Sequence, residues 1–562
     1  MSTMGNQYST QQKTTQIVAS LAVTAIVFAW SRKTYRRWKS TRIAYTDATI
    51  LIKKLRNGEI SSEELLELYI ERIERIDHLY NAVVVRDFET ARKQAKKCDE
   101  MRQKGMILGP LHGLPMTVKE ELEVSGFPLS CRGDPKYQEI NNQRIQTKSS
   151  EVIQRVLEAG AIIFAKTNIP KGCLDWQCYN QVFGVTCNPY NEKFSPGGSS
   201  GGSAVALICG FTPLELGGDS AGSIRIPSAF NGCFGLAPTH GLVPTDRPWF
   251  KAVVYGPMAR NARDCELLLS VMGSQVLPAY PIKSSPYPPF RVETEQNFTS
   301  LSASSSLKWE DLRCAVWDGT SNYMNEKDFK VSREVQLAVI HLSTLLRHVR
   351  VSITDLYDVN TKRIKIKAKK QRGEDEEGEN CSLVPLSESS IKKSYTLFHQ
   401  LLSLTEEVVT AKGNNDKDKD VMSNFLKAQQ NIMNEWDSFF DSYDFLILPV
   451  TVTTPFKNDH NYHMDAYSDH RICRDVDDHC LEEEEEEKGH VRDYKSHFFW
   501  SHFSILGQLP SISLPMGLTD KGLPKAVQIV CKRNQDMKLL HIANMIEKRF
   551  TFTVNTPRPV GL

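Results

Sequence analysis

Between Ser195 and Pro227 the chain crowds hydroxyls among glycines: Ser195, Ser199, Ser200, Ser203, Ser220 and Ser223 punctuate the runs SPGGSSGGS and GGDSAGSIRIP. A serine hydroxyl attacks a carbonyl only when a base takes its proton, and the oxyanion that forms needs donors aimed at it. Glycines and small side chains let backbone N–H groups approach such an oxygen. The stretch can therefore supply much of what breaking an amide requires: a nucleophile, a relay that returns a proton to the leaving amine, and oxyanion donors. The local pattern does not say which serine attacks. GxSxG occurs three times, centred on Ser199, Ser200 and Ser220, and a nucleophile elbow also needs a helix directly after its serine. Pro227, together with β-branched Ile224 and Ile226, argues against a helix there and so against the elbow reading of Ser220. Other uses of glycine are weaker. A phosphate-cradling loop ends in GKS or GKT, and neither glycine cluster carries that lysine. A flexible linker would lack Val205, Leu207, Ile224, Ile226 and Phe230.

The elements that must position these serines follow from periodicity. Ser61 and Glu64 are spaced as a capping box ahead of Leu65, Leu66, Tyr69, Ile70, Ile73 and Ile76, which share one helical face. A second helix is expected over Glu89 to Met106. The segment GPLHGLPMTVKE then breaks helicity before a short strand at Met116 to Val118 that delivers Lys119. EVIQRVLEAG reads as a helix closed by Gly160, followed by the apolar run AIIFA ahead of Lys166. A short apolar helix is expected from Ala204 to Cys209 and a strand at Leu214 to Leu216. Helix followed by buried strand indicates an α/β core. FFWSHFSILGQLPSISLPMG and the helical QDMKLLHIANMIEKRF return the carboxy-terminal part to that core.

Composition narrows the function classes. The chain has 562 residues, 40% hydrophobic and 24% charged, with a formal net charge of +2. That is no field for nucleic acid, and no interior cluster joins basic to aromatic residues. The 13 cysteines lack CxxC pairs and read as reduced thiols in a reducing compartment. His460, His463, Asp478 and His479 fit no defined metal spacing, and no cofactor is expected.

The amino terminus departs from the globular pattern. Ile17 to Trp30 carries no charge and is followed by Arg32, Lys33, Arg36, Arg37 and Lys39. A cleaved signal peptide would place its charge ahead of the apolar stretch. The run reads as a single spanning or deeply embedded helix, with everything after Arg32 facing the cytosol. Residues 1–40 are thus an anchor with a basic flank, and 41–562 a catalytic domain with charged surface insertions near 361–379, 412–420 and 458–494. The last of these contains the glutamate run Glu482 to Glu487, expected to be a solvated or disordered loop.

At its glycine-rich centre the chain resembles the amidase signature family. The family's core is a GGSSGG loop, an apolar helix, an acidic residue and a GxSIRxP ending. Here GGSSGGSAVALICGFTPLELGGDSAGSIRIP runs from Gly197 to Pro227, with its final glycine and serine adjacent. GPLHGLPMTVKE, AKTNIP, FGVTCNPYN, GLAPTHGLVP, GPMARNARD and GLPKAVQIV are similar to flanking family segments, so the likeness covers most of the chain after Asp47. The resemblance implies a central mixed β-sheet with helices on both faces. It also implies a catalytic triad with Ser223 as nucleophile, Ser199, which matches a serine held by a cis peptide, as relay, and Lys119 as base. Burial disfavours the charged form of a lysine, which would suit Lys119 to that role near neutral pH. Backbone N–H groups of Ser220, Ala221, Gly222 and Ser223 would form the oxyanion hole. Asp219 and Arg225 are expected to shape the loop, and His112 to be a loop histidine.

Two departures stand out. Ala221 replaces the first of two glycines that many members carry before the nucleophile, and Ser203 stands where fatty-acid amide hydrolases often have glutamate. The membrane-anchored second form of animal fatty-acid amide hydrolase nevertheless looks nearest, through its hydrophobic amino terminus and its NPY, GPM and GLP stretches. That implies a lipid amide as substrate and a membrane as partner, and leaves a homodimer open. Small aliphatic or aryl amides are the alternative substrates. The transamidase component that uses glutamine on charged tRNA shares the triad, and a catalytically silent membrane-tethered scaffold is the reading from another class.

Overall fold

The computed structural model describes residues 41–130, 145–245, 253–273, 307–317, 331–349, 352–355, 396–397, 416–458, 472–474, 491–493, 497 and 499–550. Contacts divide the chain at Thr46, and the unit from Asp47 onward holds the elements that follow.

Its strands are, in chain order, β1 (Val83–Arg86), β2 (Pro115–Lys119), β3 (Ile162–Thr167), β4 (Tyr179–Asn180), β5 (Gly184–Val185), β6 (Leu214–Asp219), β7 (Phe234–Ala237) and β8 (Val254–Ala259). The series continues with β9 (Arg313–Val316), β10 (Ser352–Asp355), β11 (Phe445–Pro449), β12 (Ile472–Arg474), β13 (Val491–Asp493), β14 (Ser511–Leu518) and β15 (Pro524–Val530). Eleven of them form one mixed sheet in the order β1-β3-β2-β6-β8-β7-β14-β15-β11-β9-β10. Every residue of β2, β3 and β6 is buried. Since alternate residues point to opposite faces, both faces of the sheet are covered there. The helix Phe88–Gln103 packs on β3, Ala262–Met272 on β8, and Arg225–Asn231 on β14 and β15.

The central arrangement decides where the chemistry sits. β2 runs parallel to both β3 and β6, with Thr117 opposite Glu215 and Val118 opposite Leu216. Lys119 and Asp219, the last residues of their strands, therefore emerge at the same edge. Crevices at the carboxyl ends of neighbouring parallel strands are where open α/β sheets bind ligands.

The expected elements fall close to their sequence positions. Ser61 caps the helix Ser62–Ile76 by accepting from the Glu64 N–H at 3.0 Å. The helix expected at Ala204 begins three residues earlier and spans Gly201–Ile208, and the strand expected at Leu214 to Leu216 continues to Asp219. Helices Glu151–Glu158 and Asp536–Phe550 form where the sequence puts them, and Phe499–Leu506 within FFWSHFSILG is also helical. In the insertion near 412–420, Asp416 opens the helix Asp416–Ser442. Phe425, Ile432, Trp436, Phe439 and Phe440 on that helix recur at helical spacing and, with Tyr443 just after it, pack with Trp317, Trp500 and Phe503 in one hydrophobic core. Within 458–494, β12 and β13 pair antiparallel. Glu482 to Glu487, the segment 361–379, the four candidate metal ligands and the apolar run Ile17 to Trp30 lie outside the described residues. Among the described residues, no helix is long and apolar enough to cross a membrane, and no group of three His, Cys, Asp or Glu side chains could hold a metal ion.

Candidate active site

Lys119 ends β2 with its side chain 1% exposed. Its Nζ donates to Ser199 Oγ at 2.7 Å and to the Gly218 carbonyl at 3.1 Å, and it lies 2.8 Å from Glu121 Oε1. The turn after β2 explains the last contact. Leu122 N–H donates to the Lys119 carbonyl at 3.1 Å, closing a four-residue turn that folds Glu121 back over the lysine. Gly218 leaves the room, since a Cβ there would sit 2.5 Å from Glu121 Oε1.

Of the paired serines, Ser199 is the one on Lys119. The Gly198–Ser199 peptide is cis, as the resemblance implies, while the Ser200 hydroxyl points to the Gly218 carbonyl at 3.4 Å. Ser223 enters from the other side: the Ser200 N–H donates to the Ser223 carbonyl at 3.0 Å, and Ser223 is 8% exposed. Among the described residues no hydrogen bond joins the Ser223 hydroxyl to Ser199. Catalytic hydrogen bonds commonly tighten only when substrate is bound.

The loop carrying Ser223 is wound around Asp219. That carboxylate accepts from the Gly222 N–H at 2.8 Å, the Ile224 N–H at 3.0 Å, and Arg225 Nε and Nη2 at 3.0 and 2.9 Å. Burial pushes the Asp219 carboxyl up, but the Arg225 guanidinium and these donors outweigh it and hold it below the usual carboxylate range. Arg225 also reaches Ser504 Oγ at 2.6 Å and Gln528 Oε1 at 3.2 Å, tying the loop to the helix Phe499–Leu506 and to β15. A helix, Arg225–Asn231, does follow the serine loop, which corrects the expectation drawn from Pro227. Proline there lies in the first helical turn, where N–H groups have no intrahelical partner to lose.

Asp219 also changes the oxyanion reading. Because the Gly222 N–H is committed to Asp219, the donors left among the four expected residues, within what the structure describes, are the N–H groups of Ser220, Ala221 and Ser223. Ala221 packs against the hydrophobic core that includes Trp317, Trp500 and Phe503. His112 is buried between the Leu108 N–H and the Cys98 carbonyl, as a loop histidine should be.

Sequence reasoning missed three acids near the lysine. Glu121 forms the ion pair just described. Glu120 accepts from Ser130 and lies 3.9 Å from the fully buried Lys166; burial pushes the Lys166 amine down. Glu215 projects from β6 beside Thr117, Ser203 and Thr167, and burial raises its carboxyl to about 8. Ser203 thus stands next to an acid supplied by another strand, in the region where a relative's glutamate would begin. The signal for Glu121 was the repeated acid in KEE directly after an apolar strand.

Chemically, a buried amine held on one hydroxyl, beside a second hydroxyl on a strand–turn–helix loop with N–H groups to spare, is equipped for acyl transfer. The family model described as Amidase matches residues 64–540. The chain belongs to the amidase signature family. Its similarity to the Mycobacterium bovis protein AmiB2, named as an amidase, is 37% identity over 232 residues, 41% of this chain and 49% of that protein. The chain thus spans about half the length of that relative. A glutamyl-tRNA(Gln) amidotransferase component from Natranaerobius thermophilus is 25% identical over 90% of this chain and 95% of its own length. Among solved structures, a bacterial aryl acylamidase of the amidase signature family superposes with a TM-score of 0.68 at 21% identity, covering 90% of this chain and 96% of its own. A fatty acid amide hydrolase superposes with a TM-score of 0.64 at 18% identity, covering 92% and 87%. At those identities the structural likeness speaks for the fold alone.

Proposed function

We propose that this amidase-family chain is a serine hydrolase of carboxamides that works through an acyl-enzyme on Ser223. The observation that carries the reading is the 2.7 Å contact from the buried Lys119 amine to Ser199. Ser199 passes a proton between Ser223 and Lys119 as Ser223 attacks, then returns it to the departing amine. Water hydrolyses the ester and releases the acid. The N–H groups of Ala221 and Ser223, with that of Ser220, receive the oxyanion.

The substrate side is apolar. Ala221, two residues before the nucleophile, packs against the apolar cluster that includes Trp317, Trp500 and Phe503, and Trp176 is packed against the same cluster. Apolar surroundings of this kind support a hydrocarbon or aryl group on the substrate, in keeping with a lipid amide. A second reading, glutamine as the amide, is favoured by the full-length likeness to the amidotransferase component. Its charged head group would need ionic partners, and the Arg225 guanidinium is occupied by Asp219, Ser504 and Gln528. The apolar run Ile17 to Trp30, with its basic flank, supports a membrane-anchored enzyme with a cytosolic catalytic domain.

A fluorophosphonate probe tests the nucleophile. The purified chain should label, and Ser223→Ala should abolish labelling while Ser220→Ala retains it. Labelling that survives Ser223→Ala, or a parent that never labels, refutes the reading. Turnover of long-chain primary amides above that of short-chain amides and glutamine is the expected substrate order.

A further inference from the structure

We infer that Glu121 is the proton-holding partner of Lys119, a positioning residue without which the lysine cannot take the proton from the serine relay near neutral pH. The inference rests on the hydrolase reading above and adds a member that the Ser-Ser-Lys set lacks.

The geometry around Nζ carries the argument. An ammonium has three N–H donors and no lone pair. Lys119 donates to Ser199 Oγ at 2.7 Å and to the Gly218 carbonyl at 3.1 Å, and Glu121 Oε1 stands 2.8 Å away as its ion-pair partner. That set fits the ammonium, and an ammonium cannot accept a proton. Both partners of the pair are withdrawn from water, Lys119 at 1% and Glu121 at 5% exposure, so the proton has no direct route to solvent. The Glu121 carboxylate is the one acceptor of the three that can receive it. Gly218 fits the same purpose, because any larger residue would occupy the space of Glu121 Oε1.

The steps balance. Lys119 passes a proton to Glu121, leaving an amine and a carboxylic acid. As Ser223 Oγ bonds to the carbonyl carbon, its proton moves to Ser199 and that of Ser199 moves to Lys119. The site then holds an ammonium, a neutral Glu121 and the oxyanion, with no change in total charge. On collapse the C–N bond breaks, Lys119 returns a proton through Ser199 to the leaving nitrogen, and Glu121 returns its own to Lys119.

Other charged and titratable groups bear on the pair. Glu120 and Glu123 follow the same strand, Lys166 faces it from β3, and Cys178 comes from the loop before β4. Glu120 lies 3.9 Å from Lys166 and accepts from Ser130, so it is engaged away from Lys119.

The rate of fluorophosphonate labelling of the full chain, followed from pH 5 to pH 10, tests the inference. In the parent, activity is lost in acid when Glu121 is protonated and can no longer receive. In Glu121→Gln the proton must leave an ammonium with no partner carboxylate, and ammonium groups ordinarily release protons far above carboxylic acids. The acid limb should therefore move up by more than about one pH unit, a greater than roughly tenfold loss at pH 6 relative to pH 9, with recovery in base. A limb that stays in place with a uniform loss would make Glu121 structural only. A limb that moves down, with faster labelling at neutral pH, would make it a brake; either result overturns the inference. Should glutamine prevent folding, Glu121→Asp replaces it: a parent-like limb with a lower plateau is expected, and an unchanged plateau refutes the role. Failure of the hydrolase reading is separate, because it appears in the parent as labelling that survives Ser223→Ala.

Discussion

Replacing Glu215 by glutamine should remove a pH-dependent weakness from the centre of the sheet. Glu215 is fully buried on β6, where the Thr117 hydroxyl donates to it, and burial lifts its carboxyl from 4.5 to about 8. Below pH 4.5 folded and unfolded chains both hold the proton, and the shift costs nothing. As pH rises the unfolded chain ionises first while the folded chain stays neutral, so stability is lost progressively up to about pH 8. At roughly 1.4 kcal/mol per unit, the loss between pH 5 and pH 8 comes to about 3 kcal/mol. Glutamine keeps the volume and the carbonyl that Thr117 needs but cannot ionise. Urea unfolding at the two pH values is the assay. The stability of Glu215→Gln relative to the parent should rise by about 3 kcal/mol from pH 5 to pH 8. An equal difference at both pH values would show that the carboxyl titrates alike in both states, and would refute the reasoning.

Other perturbations follow from the same geometry. Asp219→Asn removes the charge that compensates buried Arg225 while leaving a carbonyl for the loop; it should destabilise the fold by about 3 to 5 kcal/mol in thermal or urea unfolding and slow Ser223 labelling. Gly202→Ala would bring a Cβ within 2.3 Å of the Asn168 backbone nitrogen. The helix Gly201–Ile208 would have to move away from the end of β3, and little folded protein should be recovered. Gly126→Ala is the matched control: with φ +88 and nothing within 4 Å of the added carbon, it should cost only about 1 kcal/mol of backbone strain.

The fold was legible where chemistry and periodicity agreed. The capping box at Ser61 and the apolar strands before Lys119 and Lys166 each depend on a few neighbouring residues, so a short window contains the cause. The helix after Ser223 was not legible, because its formation depends on Asp219 gathering the Gly222 and Ile224 N–H groups and on packing against β14 and β15. Tertiary partners overrode the local cost of Ile224, Ile226 and Pro227. The start of the helix at Asp416 was hidden for a related reason: its polar residues precede the aromatic stripe that anchors it, and the stripe begins only at Phe425.

The site divides in a different way. Ser199 lies 80 residues from Lys119, a separation that no local pattern spans, and the resemblance was what paired the two. Glu121 lies two residues from Lys119 and was overlooked, although a tight turn directly after a strand folds such a residue back toward the strand's last side chain. A resemblance assigns roles only to positions that already have them, whereas the charge balance of a buried cation must be closed whatever the family provides. The buried lysine should therefore have prompted a search for its nearest acid. The chain supplies that acid at the first turn after β2, and Gly218 on the adjoining strand keeps the space it needs. A description of the base as a lone amine is incomplete here, since a buried carboxylate is held 2.8 Å from it; on the proposal above, the pH dependence of labelling is a property of the pair.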